Sequence, residues 1–411
     1  MTDGPEHTAP SRLSAPLALL WTAVILTVCL VPTGSSPPDG IMLCLICLDD
    51  GTANLLLNVI LYFPLGLLVR IRTGSLALAA GAGFLLSLGV ETAQLWIPGR
   101  FTTLADLVAN TLGAGMGGVL GGVGYRLVFP SAAAGRLLTP LAALCVALIL
   151  AAPGPLVTRS VPAGTLYGNW TPRIAALAQY EGRLLAAEIG GIPLPSRALE
   201  DSDAVREAMA AGLPLTVHFE AGPPPPGRAP LFRLLNDQGA EALNLTVDGT
   251  DLLVASRIRA QDFYLARPGH RLRDALGTVA PGERVTAVMS WDSGGALQVT
   301  LTTPGPSAPA QADRLGVTSA RGWSLLFSST RLPRGTPGLV DFLWLAALFA
   351  PLGWWSGTVR RAAAAGALPL AVLLLIPAFS PLLPAPPAHF IAAILPLVTL
   401  PHLRAVAATR W

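Results

Sequence analysis

Eight stretches of this chain are apolar for long enough to cross a lipid bilayer, a span of about 17 to 25 residues as helix. They lie near 16–33, 54–70, 75–97, 104–125, 137–153, 338–356, 364–382 and 386–401. In hydrocarbon each backbone N–H and C=O must find a partner inside the segment, so these stretches are predicted to be α-helices. Composition agrees: 12% of the residues are charged, whereas soluble chains carry about a quarter. A formal net charge of +3, with no basic run or aromatic-studded basic patch, argues against a nucleic-acid partner.

The first stretch, Pro16 to Val31 behind Arg12, has the length of a signal peptide. No small-residue cleavage site precedes Pro37 and further spans follow, so it is expected to be a retained first helix. Every basic residue is arginine, and arginines collect in cytoplasmic loops. Arg12, Arg70 with Arg72, Arg126 with Arg136, Arg360 with Arg361, and Arg404 with Arg410 all fall on one side of the predicted bundle. The opposite connections carry Asp39, Asp49 and Asp50, then Arg100, then a long insert, then PLLPAPP. Both termini are therefore expected on the cytoplasmic side of the membrane, with the insert outside.

The insert, 154–336, divides the chain into an N-terminal membrane domain at 1–153 and closing helices at 337–411. It holds most of the charge and is bounded by the Pro/Gly-rich joints APGPL and LPRGTPG. DSDAVREAMAA reads as a helix capped by Ser202 or Asp203. Seven short alternating runs then read as strands: LTVHFEA, PLFRLLN, ALNLTVDG, DLLVASRIR, RVTAVMSW, ALQVTLTT and WSLLFSS. Strands at this spacing predict an all-β sandwich. The runs LFRLLNDQGAEALNLTVDGTDLLVASR and VTAVMSWDSGGALQVTL resemble laminin-G-like and concanavalin-A-like jelly-roll domains. That resemblance implies a fold and, more weakly, carbohydrate binding. The fold class is thus a polytopic α-helical membrane protein with an inserted jelly-roll domain.

Polar residues inside apolar helices are costly and point to function. Here they are Asn58, Glu91, Gln94, Arg100, Asp106 and Asn110. Glu91 and Gln94 are three apart, and Asp106 and Asn110 four apart, so each pair projects from one helix face. The short PGRFTT linker forces the two helices into an antiparallel hairpin, which lets those faces meet. Glu91 lies about 10 Å below the external helix end at 1.5 Å per residue, in the outer half of the membrane.

These positions resemble the VanZ-like family. Its pattern is an Asn-containing helix with P-x-G, a helix ending in E-x-x-Q, a P-G-R turn, and D-x-x-x-N before a glycine-rich helix. This chain has Asn58, Pro64 and Gly66 in NVILYFPLG, Glu91 and Gln94 in ETAQ, then Pro98, Gly99 and Arg100, then Asp106, Asn110 and Gly113. The resemblance covers roughly 50–125 and implies an integral protein of the bacterial envelope. One founding member is associated with glycopeptide resistance, and nothing in the resemblance assigns a reaction.

Three readings of the cluster stand open. Glu91, Arg100 and Asp106 can form a buried ion-pair network, with Asn58 and Asn110 as interhelical hydrogen bonds. The cluster can recognise the headgroup of an envelope glycan or polyprenyl-linked glycan, with Arg100 holding a phosphate or carboxylate. Glu91 can be a general base, although no Ser, His or Cys nucleophile accompanies it, so binding is favoured over catalysis. The same outward-facing placement as the insert suits a lipid-linked glycan, and recruitment of protein partners through the insert is a further alternative. Gly113, Gly117 and Gly121, with Gly118 and Gly122 on a neighbouring row, are expected to pack closely against other helices. Pro64 and Gly66 suit a kinked helix.

Elsewhere, Cys44 and Cys47 are spaced C-x-x-C with no second pair, which leaves a disulfide open and makes zinc improbable; no metal or cofactor is expected. Trp170, Trp291, Trp323 and Tyr264 are sugar platforms or, for those in strands, core residues. Asp248, Asp251 and Asp292 are expected in turns. Asp341 is expected in the external interface of the sixth span.

Overall fold

A computed structural model describes residues 13–32, 41–46, 50–174, 177–291, 296–303, 311–333 and 335–408. Arg12, Asp39, Cys47, Asp49, Asp292 and Arg410, all used above, lie outside the described residues. The chain divides into two compact units, Met1–Ala133 and Ala134–Trp411.

In the first unit, α1 (Ser14–Leu30) leads through a short strand β1 (Ile41–Met42) into α2 (Gly51–Thr73) and α3 (Leu76–Gln94). Strand β2 (Thr102–Thr103) then opens α4 (Leu104–Val128). Ser75 starts α3 by accepting from the Leu78 N–H, satisfying one of the donors that a helix N-terminus leaves free. Gly99, at φ 74°, takes the left-handed conformation that the P-G-R turn requires. The two strands pair in parallel, Ile41 with Thr102 and Met42 with Thr103. Cys44, just beyond β1, is disulfide-bonded.

Glycine governs the packing of α4. A Cβ built on Gly117 meets the Phe63 carbonyl oxygen at 1.9 Å, and one on Gly113 meets that of Val59 at 2.3 Å. In the other direction, a Cβ on Gly66 meets the Ala114 carbonyl at 1.8 Å. Gly121 faces the Arg70 side chain and Gly118 faces Ala79 of α3. The row Gly113, Gly117 and Gly121 therefore lets the α4 backbone lie directly on α2, where van der Waals contact between backbones replaces a hydrophobic driving force. Helix α2 runs unbroken through Pro64.

The second unit begins with α5 (Ala132–Ala151) and a single turn, α6 (Pro153–Leu156). The β domain follows: β3 (Leu166–Trp170), β4 (Arg183–Ile189), β5 (Ile192–Pro193), α7 (Ser202–Ala211), β6 (Leu215–Glu220), β7 (Arg228–Asn236), β8 (Glu241–Asp248), β9 (Asp251–Ser256), β10 (His270–Leu272), β11 (Arg284–Trp291), β12 (Leu297–Thr302) and β13 (Gln311–Leu315). Helices α8 (Thr336–Ser356), α9 (Val359–Leu375) and α10 (Pro387–Ala408) close the chain. Their core includes Leu345, Phe349, Leu373 and Leu397, and it also takes in Val146 and Leu150 of α5. The fifth apolar helix thus belongs with the C-terminal three.

Two antiparallel sheets form, one ordered β10-β9-β8-β7-β3 and the other β13-β12-β11-β6-β4-β5. Leu215, Val217 and Phe219 alternate inward along β6, as do Val285, Ala287 and Met289 along β11. They share one core with Phe232, Leu234, Leu243, Leu245 and Val254 of the other sheet. The domain is therefore a sandwich of two facing sheets.

Three expectations change. WSLLFSS does not form a strand, because it enters a 3-10 helix at Ser319–Leu325. Trp323, Ser324 and Leu325 are buried in succession, without the alternation a strand would need. The cap of α7 is Asp201, which accepts from the Ala204 N–H, rather than Ser202 or Asp203. Asp341, at the start of α8, is enclosed by protein instead of exposed: it is fully buried, held by Arg321 at 2.6 Å and the Trp323 indole at 2.7 Å, with His389 at 3.6 Å. Among the described residues seven helices, α2 to α5 and α8 to α10, are long and apolar enough to cross a membrane, while α1 is apolar and 17 residues long.

Candidate functional site

The end of the first unit where α3 leaves and α4 begins gathers most of the polar residues named from the sequence. Thr103 organises it. Its backbone N–H donates to Oε2 of Glu91 at 3.0 Å, and its hydroxyl accepts from the Asp106 N–H at 3.0 Å. Thr103 therefore caps α4 while binding a carboxylate from α3. The Thr102 hydroxyl donates to the Glu91 carbonyl oxygen at 2.9 Å, closing the α3 C-terminus. Asn58, two turns into α2, donates its amide to Asp106.

One turn deeper, the Asn110 amide donates to the Ser87 hydroxyl at 2.9 Å, linking α4 to α3. The fully buried Tyr62 of α2 lies beside Ser87. Gln94 points the other way and donates to the Cys29 carbonyl at 2.9 Å. The carboxamide oxygens of Asn110 and Gln94 are buried with no hydrogen-bond partner.

Arg100 does not join the carboxylates. Its Nε donates to the Val31 carbonyl at 2.9 Å and an Nη to that of Val28 at 2.6 Å. A guanidinium there meets the carbonyls that the end of α1 leaves free and the negative end of its dipole. Among the described residues, neither Glu91 nor Asp106 has a cation within ion-pair distance. The sequence reading missed Tyr62, Ser87, Thr102 and Thr103. A Thr-Thr pair three residues before Asp106 is a cap signal, whereas nothing in the sequence singles out Ser87 or Tyr62.

This arrangement offers acceptors. Two carboxylates and the unsatisfied Asn110 amide oxygen suit hydroxyl or ammonium donors far better than anions. No group of three or more His, Cys, Asp or Glu side chains suited to a metal ion occurs among the described residues.

In the β domain the proposed sugar platforms are mostly occupied. The Trp170 indole donates to the Leu194 carbonyl at 2.9 Å, and the Trp323 indole donates to Asp341. Trp291 is buried, with the Arg159 guanidinium 5.2 Å from its ring centre; Tyr264 is exposed. Asp248 and Asp251 converge on Arg271, at 2.8 and 2.6 Å.

No curated protein and no solved structure matches the chain. Residues 18–124, which run from within α1 to within α4 and contain the whole cluster, match the family described as VanZ/LLP1. Over that span the chain is similar to VanZ-like proteins.

Proposed function

We propose that the first unit binds the polar headgroup of an envelope lipid through hydroxyl or amine groups, as the saccharide of a polyprenyl-linked glycan would present them. The observation that carries this reading is that the Glu91 carboxylate, held by the Thr103 N–H, and the Asp106 carboxylate, held by the Asn58 amide, have no cation within ion-pair distance among the described residues. A buried carboxylate without a counter-charge is expensive, and a donor-rich ligand offsets that cost. Arg100, tied to α1, holds the hairpin rather than a phosphate.

The family match supports a role in the cell envelope, in cell-wall or exopolysaccharide processes or in glycopeptide resistance. The distribution of arginine supports an inner-membrane location with both termini cytoplasmic and the insert outside. In this reading the sandwich has a jelly-roll topology and contacts the saccharide. A second reading uses the same pair of carboxylates, with Glu91 as a general base acting on the lipid-linked glycan.

The test is a titration of the protein in nanodiscs with polyprenyl-phosphate lipids, with and without a saccharide. Glu91→Gln and Asp106→Asn are each expected to weaken binding of the saccharide-bearing lipid by about tenfold, the loss of one charged hydrogen bond. Unchanged affinity in both variants sinks the headgroup reading. Turnover that disappears in Glu91→Gln while binding persists selects the enzyme.

A further inference from the structure

The second unit contains a pocket that the reading above does not use. It opens where the β sandwich meets the ends of its membrane helices. Val157 follows α6 at the end of one span, and Pro381 lies in the connection between α9 and α10. The Leu383 N–H of that connection donates to the Val317 carbonyl at 2.9 Å, fastening the exit of β13 to it. The other walls include Arg159, Ser256, His270 and Trp291.

Arg159 is the notable group. It is partly buried, stacks on Trp291 at 5.2 Å, and donates one Nη to the Met209 carbonyl at 2.8 Å. Among the described residues no carboxylate pairs with it, although the neighbouring arginines Arg257, Arg271 and Arg321 all have acidic partners. A guanidinium has five N–H donors, so most of its donor capacity remains, and stacking on an indole holds the fork in one plane. Partial desolvation strengthens any charge it meets. His270, neutral near pH 7, and the Ser256 hydroxyl add donors to the same wall. The cavity is about 40 Å³, where a water needs roughly 10 to 15 Å³ on the same measure. A group of a few heavy atoms fits; a sugar ring does not.

From this geometry we infer that the pocket at the base of the sandwich binds a phosphate group through Arg159 stacked on Trp291. Its position at the ends of the membrane helices suits the phosphate of a lipid headgroup, and a soluble phosphorylated saccharide presents the same chemistry. The inference does not depend on the carboxylate cluster of the first unit, and its test leaves that cluster intact.

The experiment uses the full chain in phosphatidylcholine nanodiscs. One arm adds inorganic phosphate or a sugar phosphate, and the other incorporates phosphatidic acid into the disc. In each arm, modification of Arg159 by phenylglyoxal is followed by mass spectrometry, with exposed Arg183 as the reference. Protection of Arg159 relative to Arg183 is expected in at least one arm: protection by soluble phosphate identifies a free ligand, and protection by phosphatidic acid alone identifies a lipid headgroup. Binding of the protecting probe is expected to fall at least about tenfold in Arg159→Gln. Equal modification of Arg159 in every arm overturns the inference, as does unaltered probe binding by a folded Arg159→Gln. The protection assay uses the native protein, so it decides the matter even if that variant does not fold.

Discussion

Glu91 accepts a hydrogen bond from the backbone N–H of Thr103, twelve residues ahead and across the helical hairpin, at 3.0 Å. A residue placed in the sequence as a candidate ligand-binding group is therefore also part of the joint between α3 and α4. Function and architecture at this position have to be separated by the choice of substitution.

Glu91→Gln keeps an acceptor for the Thr103 N–H, and Glu91→Ala removes it. The alanine variant is expected to lose about 1 to 3 kcal/mol, the cost of an unsatisfied buried donor, and the glutamine variant much less. Thermal unfolding of both proteins in one detergent checks this. Equal destabilisation would show that the negative charge, rather than the hydrogen bond, holds the joint.

The α2–α4 interface offers a sharper contrast. Gly117→Ala places a methyl 1.9 Å from the Phe63 carbonyl oxygen, whereas Gly115→Ala, on the same helix, meets nothing within 4 Å. The first is expected to cost about 1 to 3 kcal/mol by overpacking, and the second to leave the melting temperature unchanged or raise it slightly. A reversed order in thermal scans would mean that α4 does not lie on α2.

Asp341 is fully buried beneath Arg321 and the Trp323 indole. Asp341→Ala leaves Arg321 without its partner and is expected to cost about 3 to 5 kcal/mol. Replacing both, Asp341→Leu with Arg321→Met, is expected to recover much of that loss. A double-mutant cycle read by unfolding separates the pair from its individual members.

In the β domain, burial, and then the positive charge of Arg321, pull the His270 imidazole down to about 4 from 6.5. A base with a depressed folded pKa refuses a proton that the unfolded chain accepts. Its contribution to stability is present above about 6.5 and is lost as the pH falls through about 4. The unfolding midpoint by near-ultraviolet circular dichroism is expected to drop across that window, and to drop less in His270→Asn. Parallel curves for the two proteins would remove His270 from the acid response.

Much of this was legible in the sequence because membrane helices and sandwich strands have strong local signatures. The eight apolar runs reappear as helices, and β6, β7, β8, β9, β11 and β12 arise from runs that alternate or are bounded by turns. The glycine row of α4 announced close packing by its spacing alone. Strands β3, β4 and β10 escaped because LYGNW, RLLAAEI and HRL are short or hold Gly, Ala and Glu where strands favour β-branched residues, and WSLLFSS misled because its burial is continuous.

The sequence by itself determined which segments leave water, since apolar length and the absence of charge set that locally, and it determined which polar residues lie inside those segments. Only the tertiary structure decided what those residues meet. Arg100 could have paired with Glu91 or Asp106, but the free carbonyls at the end of α1 lie within its reach and claim it. Asp341 could have faced water, but Arg321 and Trp323 arrive from the end of the β domain and enclose it. Partner choice depends on which helix ends and loops are brought within about 3 Å of each other, and distances across 18 to 72 residues of chain are set by packing rather than by spacing.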